Sequence, residues 1–502
     1  MKKIFLILLL ISHQFCAGCI SDNEKEFLQD LITENSKLAK LGWSFDNDYK
    51  QWKGLVIEDC KITTLDLSNF NLSSLPNSII YLSNLETLKL SGLKIHEMMS
   101  RNLFGLKKLK KLHLKEVYLK KVIHLFGRLE NLKELKIIKS YINSSEIPIE
   151  FLALKELESI DFSENNFKKI PSKILELKKL KYISFKDNKY LEGDISLFNS
   201  LTQLEYLDFS NTAITGTYTP LSVNLKYLNL SNPGWSLNVD ISNINKLEVL
   251  KLEKCKLKAL TGIEKQEQLT SLNIKDNYFS GLNVSNFIRL DSINISKNEL
   301  VNLPLFPKKT IAYLNFSSNP VFEFTEQDFK VLSKVKSLDL SNMILSNLPI
   351  TIKNLKKCEV LNLSNNKLEV LPKEINNLQS LKKLNLSKNE LHNLAINGLV
   401  NLTSLDLREN NLSEFNLKLK HLKKLNLLDN SFTKIPDIIY SYEDLECFMI
   451  NDFTLKQVPE KVLSFKKMKE FYVPFEGYHD DVLCKLKARG VIVNNYNLVC
   501  NN

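Results

Sequence analysis

Apolar residues recur along the chain in a fixed figure, L-x-x-L-x-L, followed three residues later by an asparagine or its substitute and two residues after that by another apolar side chain. Consecutive copies start at Ile62, Leu85, Leu109, Leu132, Leu157, Leu180, Leu204, Leu225 and Leu247. They continue at Leu269, Leu290, Ile311, Val335, Cys358, Leu381, Leu402, Leu422, Leu445 and Met468, nineteen copies spaced 20 to 25 residues apart. The L-x-L step alternates with the period of a strand, so it predicts a short strand whose leucines point inward and whose intervening residues face solvent. One such coil cannot bury its leucines alone. Stacking on both neighbours joins successive strands into a parallel sheet over a continuous apolar core.

Two copies are nearly ideal: Leu361-Asn362-Leu363-Ser364-Asn365-Asn366-Lys367-Leu368 and Leu384-Asn385-Leu386-Ser387-Lys388-Asn389-Glu390-Leu391. On these motifs the chain resembles the leucine-rich-repeat superfamily over residues 62 to 475. The resemblance implies an α/β repeat solenoid, a curved horseshoe with a long parallel sheet on its concave face and short helices or 3₁₀ turns on its convex face, capped at both ends.

The asparagine slot holds Asn165, Asn188, Asn277, Asn298, Asn319, Asn366, Asn389, Asn410 and Asn430, each able to turn its amide inward toward backbone groups left over where the chain leaves the strand. Elsewhere it holds Phe70, Leu93, Val117, Ser140, Thr212, Pro233, Cys255, Met343 and Phe453, so the first four coils are expected to be less regular. Return segments such as 76 to 82 and 372 to 378 place proline ahead of an apolar pair, a start for a short helix. Residues 191 to 195 and 214 to 217 resemble the extended second strand of plant-type repeats. Residues 24 to 41 predict an amphipathic helix ended by Gly42, with Trp43 and Trp52 following. With Cys60 before the first repeat, this arrangement resembles the N-terminal cap of plant receptor-like proteins and their bacterial relatives, without both of the paired cysteines found there. Residues 480 to 489 predict a short helix and 491 to 493 a last strand, together a C-terminal cap.

Residues 1 to 18 read as a secretory signal peptide, with Lys2 and Lys3 ahead of an apolar run from Ile4 to Ile11 that is too short to span a bilayer. The following Cys16-Ala17-Gly18-Cys19 resembles a bacterial lipobox, which implies lipidation of Cys19 and a tether to the outer membrane or cell surface. Cys16 stands where that pattern usually has leucine, so cleavage near Ala17 or Gly18 and free secretion stay open. The polar stretch after Cys19 reads either as an export tether or as a solvated linker. The domain plan is therefore a signal at 1–18, a lipidation site and N-terminal cap at 19–61, repeats at 62–475 and a C-terminal cap at 476–502. Cys255 and Cys358 occupy core slots and read as small buried hydrophobes, whereas Cys484 and Cys500 are close enough in the cap to bridge in an exported protein.

The net charge of +11, or +9 without the signal lysines, is spread over 502 residues and does not indicate nucleic acid. No phosphate-cradling glycine loop, metal-binding histidine pair or nucleophile signature is present, the seven histidines are scattered, and neither metal nor cofactor is expected. Only 27 residues follow Phe475, which leaves no room for an appended enzyme domain. Binding chemistry is instead sought on the strand face. Tyr182, Tyr206 and Tyr227 fall in one slot of three consecutive coils, with Tyr313 four coils later, beside Asp161, Asp208 and Asn229. Lys89, Lys110, Lys111, His113, Lys115, Lys133, Lys136 and Lys139, offset by Glu116 and Glu134, form a basic patch in the second to fourth coils. A non-catalytic, surface-tethered module engaging a protein partner follows, with an acidic glycan or lipid head group as further ligands of the basic patch. A structural envelope scaffold and a freely secreted effector binding a host protein or glycan are the alternatives.

Overall fold

The computed structural model describes residues 19–45, 49–70, 72–94, 101–119, 123–140, 149–170, 172–306, 311–321, 323–451, 458–473, 480–493 and 500. The signal-peptide reading of residues 1 to 18, the slot residue Phe453, and His96 and His479 lie outside them. The chain divides into two compact units, Met1–Cys255 with Leu260–Lys265, and Lys256–Ala259 with Gln266–Asn502.

In the first unit a strand follows each of the nine repeat starts from Ile62 to Leu247, and the strands pair in parallel from Lys61–Leu67 through Val249–Lys251. The register sets leucine on leucine, as in Leu65 opposite Leu88 and Leu228 opposite Leu250, all of them buried. Phenylalanines replace leucines within the coils: Phe104, Phe126, Phe151 and Phe162 make consecutive ring contacts at 4.6, 5.0 and 5.7 Å. A second parallel sheet of Glu192–Asp194, Ala213–Tyr218 and Leu237–Val239 forms on the return side, where the plant-type extended segments were expected. The second unit repeats the plan with ten strands, from Ser271–Asn273 to Glu470–Tyr472. Here prolines mark the return segments. Pro349, Pro372, Pro436 and Pro459 each keep an extended ψ immediately before a 3₁₀ helix.

The asparagine slot does what its chemistry allows. Asn366 donates through Nδ2 to the carbonyls of Leu340 and Leu363, both at 3.0 Å, and accepts from the amides of Met343 and Leu345 at 3.0 and 3.1 Å. One amide therefore joins its own coil to the preceding one. Asn165, Asn188, Asn298, Asn319, Asn389, Asn410 and Asn430 repeat the pattern. Where asparagine is missing, Ser140 accepts from Val117 and donates to Ile138, and Thr212 donates to Phe209. Cys255 is more than the small hydrophobe expected, since its thiol donates to the Leu230 carbonyl at 3.3 Å.

The expectation of less regular early coils is corrected at the strands, which run five residues or more there against three in later coils. In most coils the residue between the two buried positions is Asp or Asn, and its Oδ1 captures the amide two residues on, as Asn362 does for Ser364 at 3.1 Å. That side chain takes an amide the ladder would otherwise use, and the strand ends. Lys89, His113 and Lys136 stand at this position in the second to fourth coils, so pairing continues to Ser91, Lys115 and Ile138.

Both described ends are covered. The N-terminal helix is not continuous as expected: α1, Asp22–Glu34, ends at Asn35 and α2, Lys37–Lys40, follows. At the break the Asn35 side chain ties the helix end to the first coil, donating to the Leu31 and Ser74 carbonyls and accepting from the Ser73 amide at 2.7 Å. Ser21 and Glu24 form a capping box, and buried Glu24 also accepts the Ile62 amide at 3.0 Å. The polar stretch after Cys19 is thus neither a tether nor a linker, because Ile20 is buried and the helix begins at Asp22. Trp43 and Trp52 stack at 4.9 Å behind it. Gly54, at φ +91°, permits the 2.7 Å bond from the Asp66 amide to its carbonyl, a position where a Cβ would strike the Asp66 oxygen. At the other end α3, Asp328–Val331, is an internal return helix, and α4, Asp481–Ala488, is capped by Asp480, which also accepts the Val458 amide at 2.9 Å. A disulfide joins Cys484 to Cys500.

Asn366→Ala removes one buried bridge between coils and strands its backbone partners, which costs roughly 3 kcal/mol. A urea unfolding midpoint well below that of the parent is expected. Asn347→Ala, at an exposed amide, should leave it unchanged within about 0.5 kcal/mol.

Candidate functional site

Parallel in-register pairing turns every solvent-facing position into a row of side chains about 4.8 Å apart. In the first unit one row reads Lys111, Glu134, Ser159, Tyr182, Tyr206, Tyr227 and Val249. Its neighbour, two residues along each strand, reads His113, Lys136, Asp161, Ser184, Asp208, Asn229 and Lys251. The fold therefore brings all six sequence-derived binding candidates onto one face of one unit.

Tyr182, Tyr206 and Tyr227 stack ring on ring, with centroids 4.1 Å apart in both steps and planes within 13° and 8°. Beneath the stack Asp208 accepts from the Tyr227 hydroxyl at 3.3 Å and the Asn229 amide at 3.1 Å, and from the Tyr206 hydroxyl at 3.5 Å. Lys251 closes one end, its ammonium 5.5 Å from the Tyr227 ring centre. Burial, with the nearby Asp161 charge, pushes the Tyr182 hydroxyl up to about 12 against the opposing pull of its hydrogen bond with Tyr206, and burial pushes Tyr206 up as well. Both are neutral donors at physiological pH. Tyr313 lies in the second unit and is half exposed.

The lysines do not form a bare basic patch. Lys89 pairs with Asp66 at 2.8 Å, Lys110 with Glu86 at 2.6 Å and Lys139 with Glu116 at 2.9 Å. Glu134 gathers Lys136 at 3.0 Å, His113 at 2.9 Å and Lys111 at 3.8 Å. Asp66 and Glu86 belong to earlier positions of the repeat than the patch itself, and only the row geometry shows them as its counterions. Burial alone would raise the Glu134 carboxyl, but Lys136 and His113 together hold it below its usual range. Burial lowers His113, outweighing the pull of Glu134, with Lys136 lowering it further.

The second unit contributes a feature the sequence reading passed over, an open polar depression of about 820 Å³ lined by Glu359, Lys382, Thr403, His421, Lys423 and Asp444. Its signal was the position just before each strand. There Glu359 is followed one coil on by Lys382, and the two meet at 2.7 Å. The same column in the first unit pairs Glu158 with Lys181 at 2.7 Å and Glu205 with Lys226 at 2.9 Å. Among the described residues no cluster of three metal-ligating side chains occurs, and no helix is long and apolar enough to cross a membrane.

This architecture defines a repeat solenoid that displays ordered rows of side chains on a backbone sheet. The family model for the leucine rich repeat matches residues 357–412. A leucine-rich-repeat protein of Leptospira interrogans is 32% identical, with a TM-score of 0.60 over 70% of this chain and 90% of that one. The chain belongs to the leucine-rich-repeat proteins. The functional domain of InlJ from Listeria monocytogenes, 21% identical, shares the fold at a TM-score of 0.55 over 69% of this chain and 74% of that one. So does the Arabidopsis receptor kinase HAESA, solved in complex with the peptide hormone IDA and a co-receptor, at 18% identity and a TM-score of 0.53 over 96% of this chain and 99% of that one. No curated protein sequence matches the chain.

His113 holds its proton less tightly in the fold than its ordinary 6.5, so acidification below about that pH favours the unfolded chain. Asp66 and Glu134 have the opposite sign of shift, and the stability they contribute is present above their ordinary 3.8 and 4.5 and lost as pH falls through their lower folded values. Urea midpoints measured from about pH 7.5 down to pH 5 should fall for the parent and stay flatter for His113→Gln.

Proposed function

We propose that this chain is an exported, non-catalytic binding protein that engages a protein partner through the sheet face of its first unit. The stacked tyrosines carry the reading: three half-buried aromatic side chains, held in fixed orientation on paired backbone, offer contact area at low entropic cost, and tyrosine is enriched at interface hot spots. Lys111, His113 and Lys136 lie two to three rungs away in the same rows and supply polar contacts. Because most of the lysines are already matched to carboxylates, a protein surface of mixed charge suits the face better than an acidic glycan or lipid head group. The complex reported for HAESA is in keeping with a fold of this kind serving peptide and protein partners.

Export is supported by the bridge between Cys484 and Cys500, a bond that persists in oxidising compartments. Lipidation of Cys19 is part of the proposal. With Ile20 buried and α1 starting at Asp22, a lipid there would hold the N-terminal cap directly at the membrane surface. Mass spectrometry of the N-terminus after expression in a lipoprotein-processing bacterium should find a diacylated or triacylated Cys19. An unmodified N-terminus would leave the freely secreted alternative in its place.

The binding face is tested by immobilising the mature chain, identifying the retained protein, and comparing two variants of unchanged circular dichroism. Tyr182→Ala with Tyr206→Ala and Tyr227→Ala, and separately Lys111→Glu with Lys136→Glu, should each weaken retention by about tenfold or more. Undiminished retention by both would reject the face.

A further inference from the structure

The tyrosine stack is closed at one end and open at the other. Its ring planes run across the row, since the centroid spacing of 4.1 Å is close to the strand spacing and the planes are nearly parallel. Tyr227 therefore ends against Lys251, whereas the outer face of Tyr182 looks along the row to Ser159. A hydroxymethyl group cannot cover a phenol ring. The next side chain in the row is Glu134, two rungs and so roughly 10 Å from Tyr182, which leaves room for one planar group at stacking distance.

The far wall of this gap, Glu134, is already paired with Lys136 and His113, so the carboxylate left to a ligand is at the floor. Asp161 sits beside Ser159 in the adjoining row and is buried to 9% exposure, yet both of its hydrogen bonds, from the amide and hydroxyl of Ser163, end on Oδ1. In Asp208, at the same position two coils later, Oδ2 is satisfied by Tyr206, Tyr227 and Asn229. Among the described residues no donor reaches the Oδ2 of Asp161. Lys136, its register partner, is turned to Glu134 instead. A carboxylate oxygen that has no protein donor and stays open at the surface, beside an uncovered aromatic face, suits a cation that is flat, and the opposite end of the stack already has its cation in Lys251.

Building on the binding face proposed above, we infer that the gap over Ser159 is a slot for an arginine side chain of the protein partner. Its guanidinium stacks on the free face of Tyr182 and donates to Oδ2 of Asp161. The planar fork fits where an ammonium would not, because it satisfies the carboxylate in the plane while its own face covers the ring. An aromatic side chain would fill the space but leave Asp161 unsatisfied, and an acidic one would face it.

The test uses the full mature chain labelled with 3-fluorotyrosine, with the Tyr182 signal assigned by its disappearance in Tyr182→Phe. The probe is a pentapeptide with one central arginine in a glycine-serine context, titrated to millimolar concentration against the same peptide bearing citrulline, phenylalanine or glutamate. A saturable shift of the Tyr182 fluorine resonance is expected with arginine, at least tenfold weaker with each of the others. Asp161→Asn should weaken it at least tenfold while keeping the turn, since Asn229 makes the same bond to the Ser231 amide. Ser159→Tyr should abolish it by extending the stack, and if that variant does not fold, Asp161→Asn decides alone. No saturable shift with arginine, equal response to citrulline, tighter binding of the phenylalanine or glutamate peptide, or an unaltered response in Asp161→Asn would each overturn the slot. If the slot fails while the tyrosine and lysine variants still release the retained partner, the binding face stands without it. If arginine binds but those variants retain the partner, the face is wrong and the slot is real.

Discussion

No coil of this protein can bury its own leucines, and that single deficit organises everything else. Each strand is only a few residues long and has one apolar side, so the free energy of burial is realised only when the coils before and after it are in place. In-register stacking then commits the backbone. The asparagine amides of residues such as Asn366 and Asn389 bond both to their own coil and to the preceding one, so that polar satisfaction and apolar burial require the same geometry. The buried amide specifies the spacing that the leucines alone would tolerate more loosely.

Function follows from the same constraint. Because one coil advances the sheet by one rung, residues some 20 to 25 apart in sequence become neighbours about 4.8 Å apart in space, and their side chains are ordered by the sheet itself. The tyrosine stack, the Glu134 cluster and the alternating column of Glu158 with Lys181 and Glu205 with Lys226 are all products of this conversion. The individual exposed ion pairs contribute little to stability. Their consequence is to neutralise the face locally, which leaves the tyrosine stack rather than bulk charge as its distinguishing feature.

The covered ends use different chemistry from the middle because each has a neighbour on one side only. Glu24 accepts the Ile62 amide and Asn35 accepts from Ser73, which places acceptors where the preceding coil would have supplied its own. At the other end Asp480 accepts the Val458 amide and the Cys484–Cys500 bond closes the last segment. The stretch following Cys19 is absorbed into the first of these covers, which is why its polar composition does not make it a linker: Ser21, Asp22 and Glu24 are a helix start.

Period alone was enough to determine the repeat, the strand at every start, the inward asparagine and the row shared by Tyr182, Tyr206 and Tyr227, because a fixed spacing maps directly onto register. It did not determine what neighbours in those rows would do to one another. That Lys89 and Lys110 are answered by Asp66 and Glu86, and that Glu134 draws two lysines and a histidine, are outcomes of side-chain reach between coils, visible only once the strands are laid side by side. The break at Asn35 has the same origin. A helical pattern reports which residues are apolar, but not that the Asn35 side chain would bridge the helix end at Leu31 to Ser73 and Ser74 of the first coil. Local pattern decides where a strand begins, and competition for hydrogen bonds across coils decides where it stops and what its surface offers.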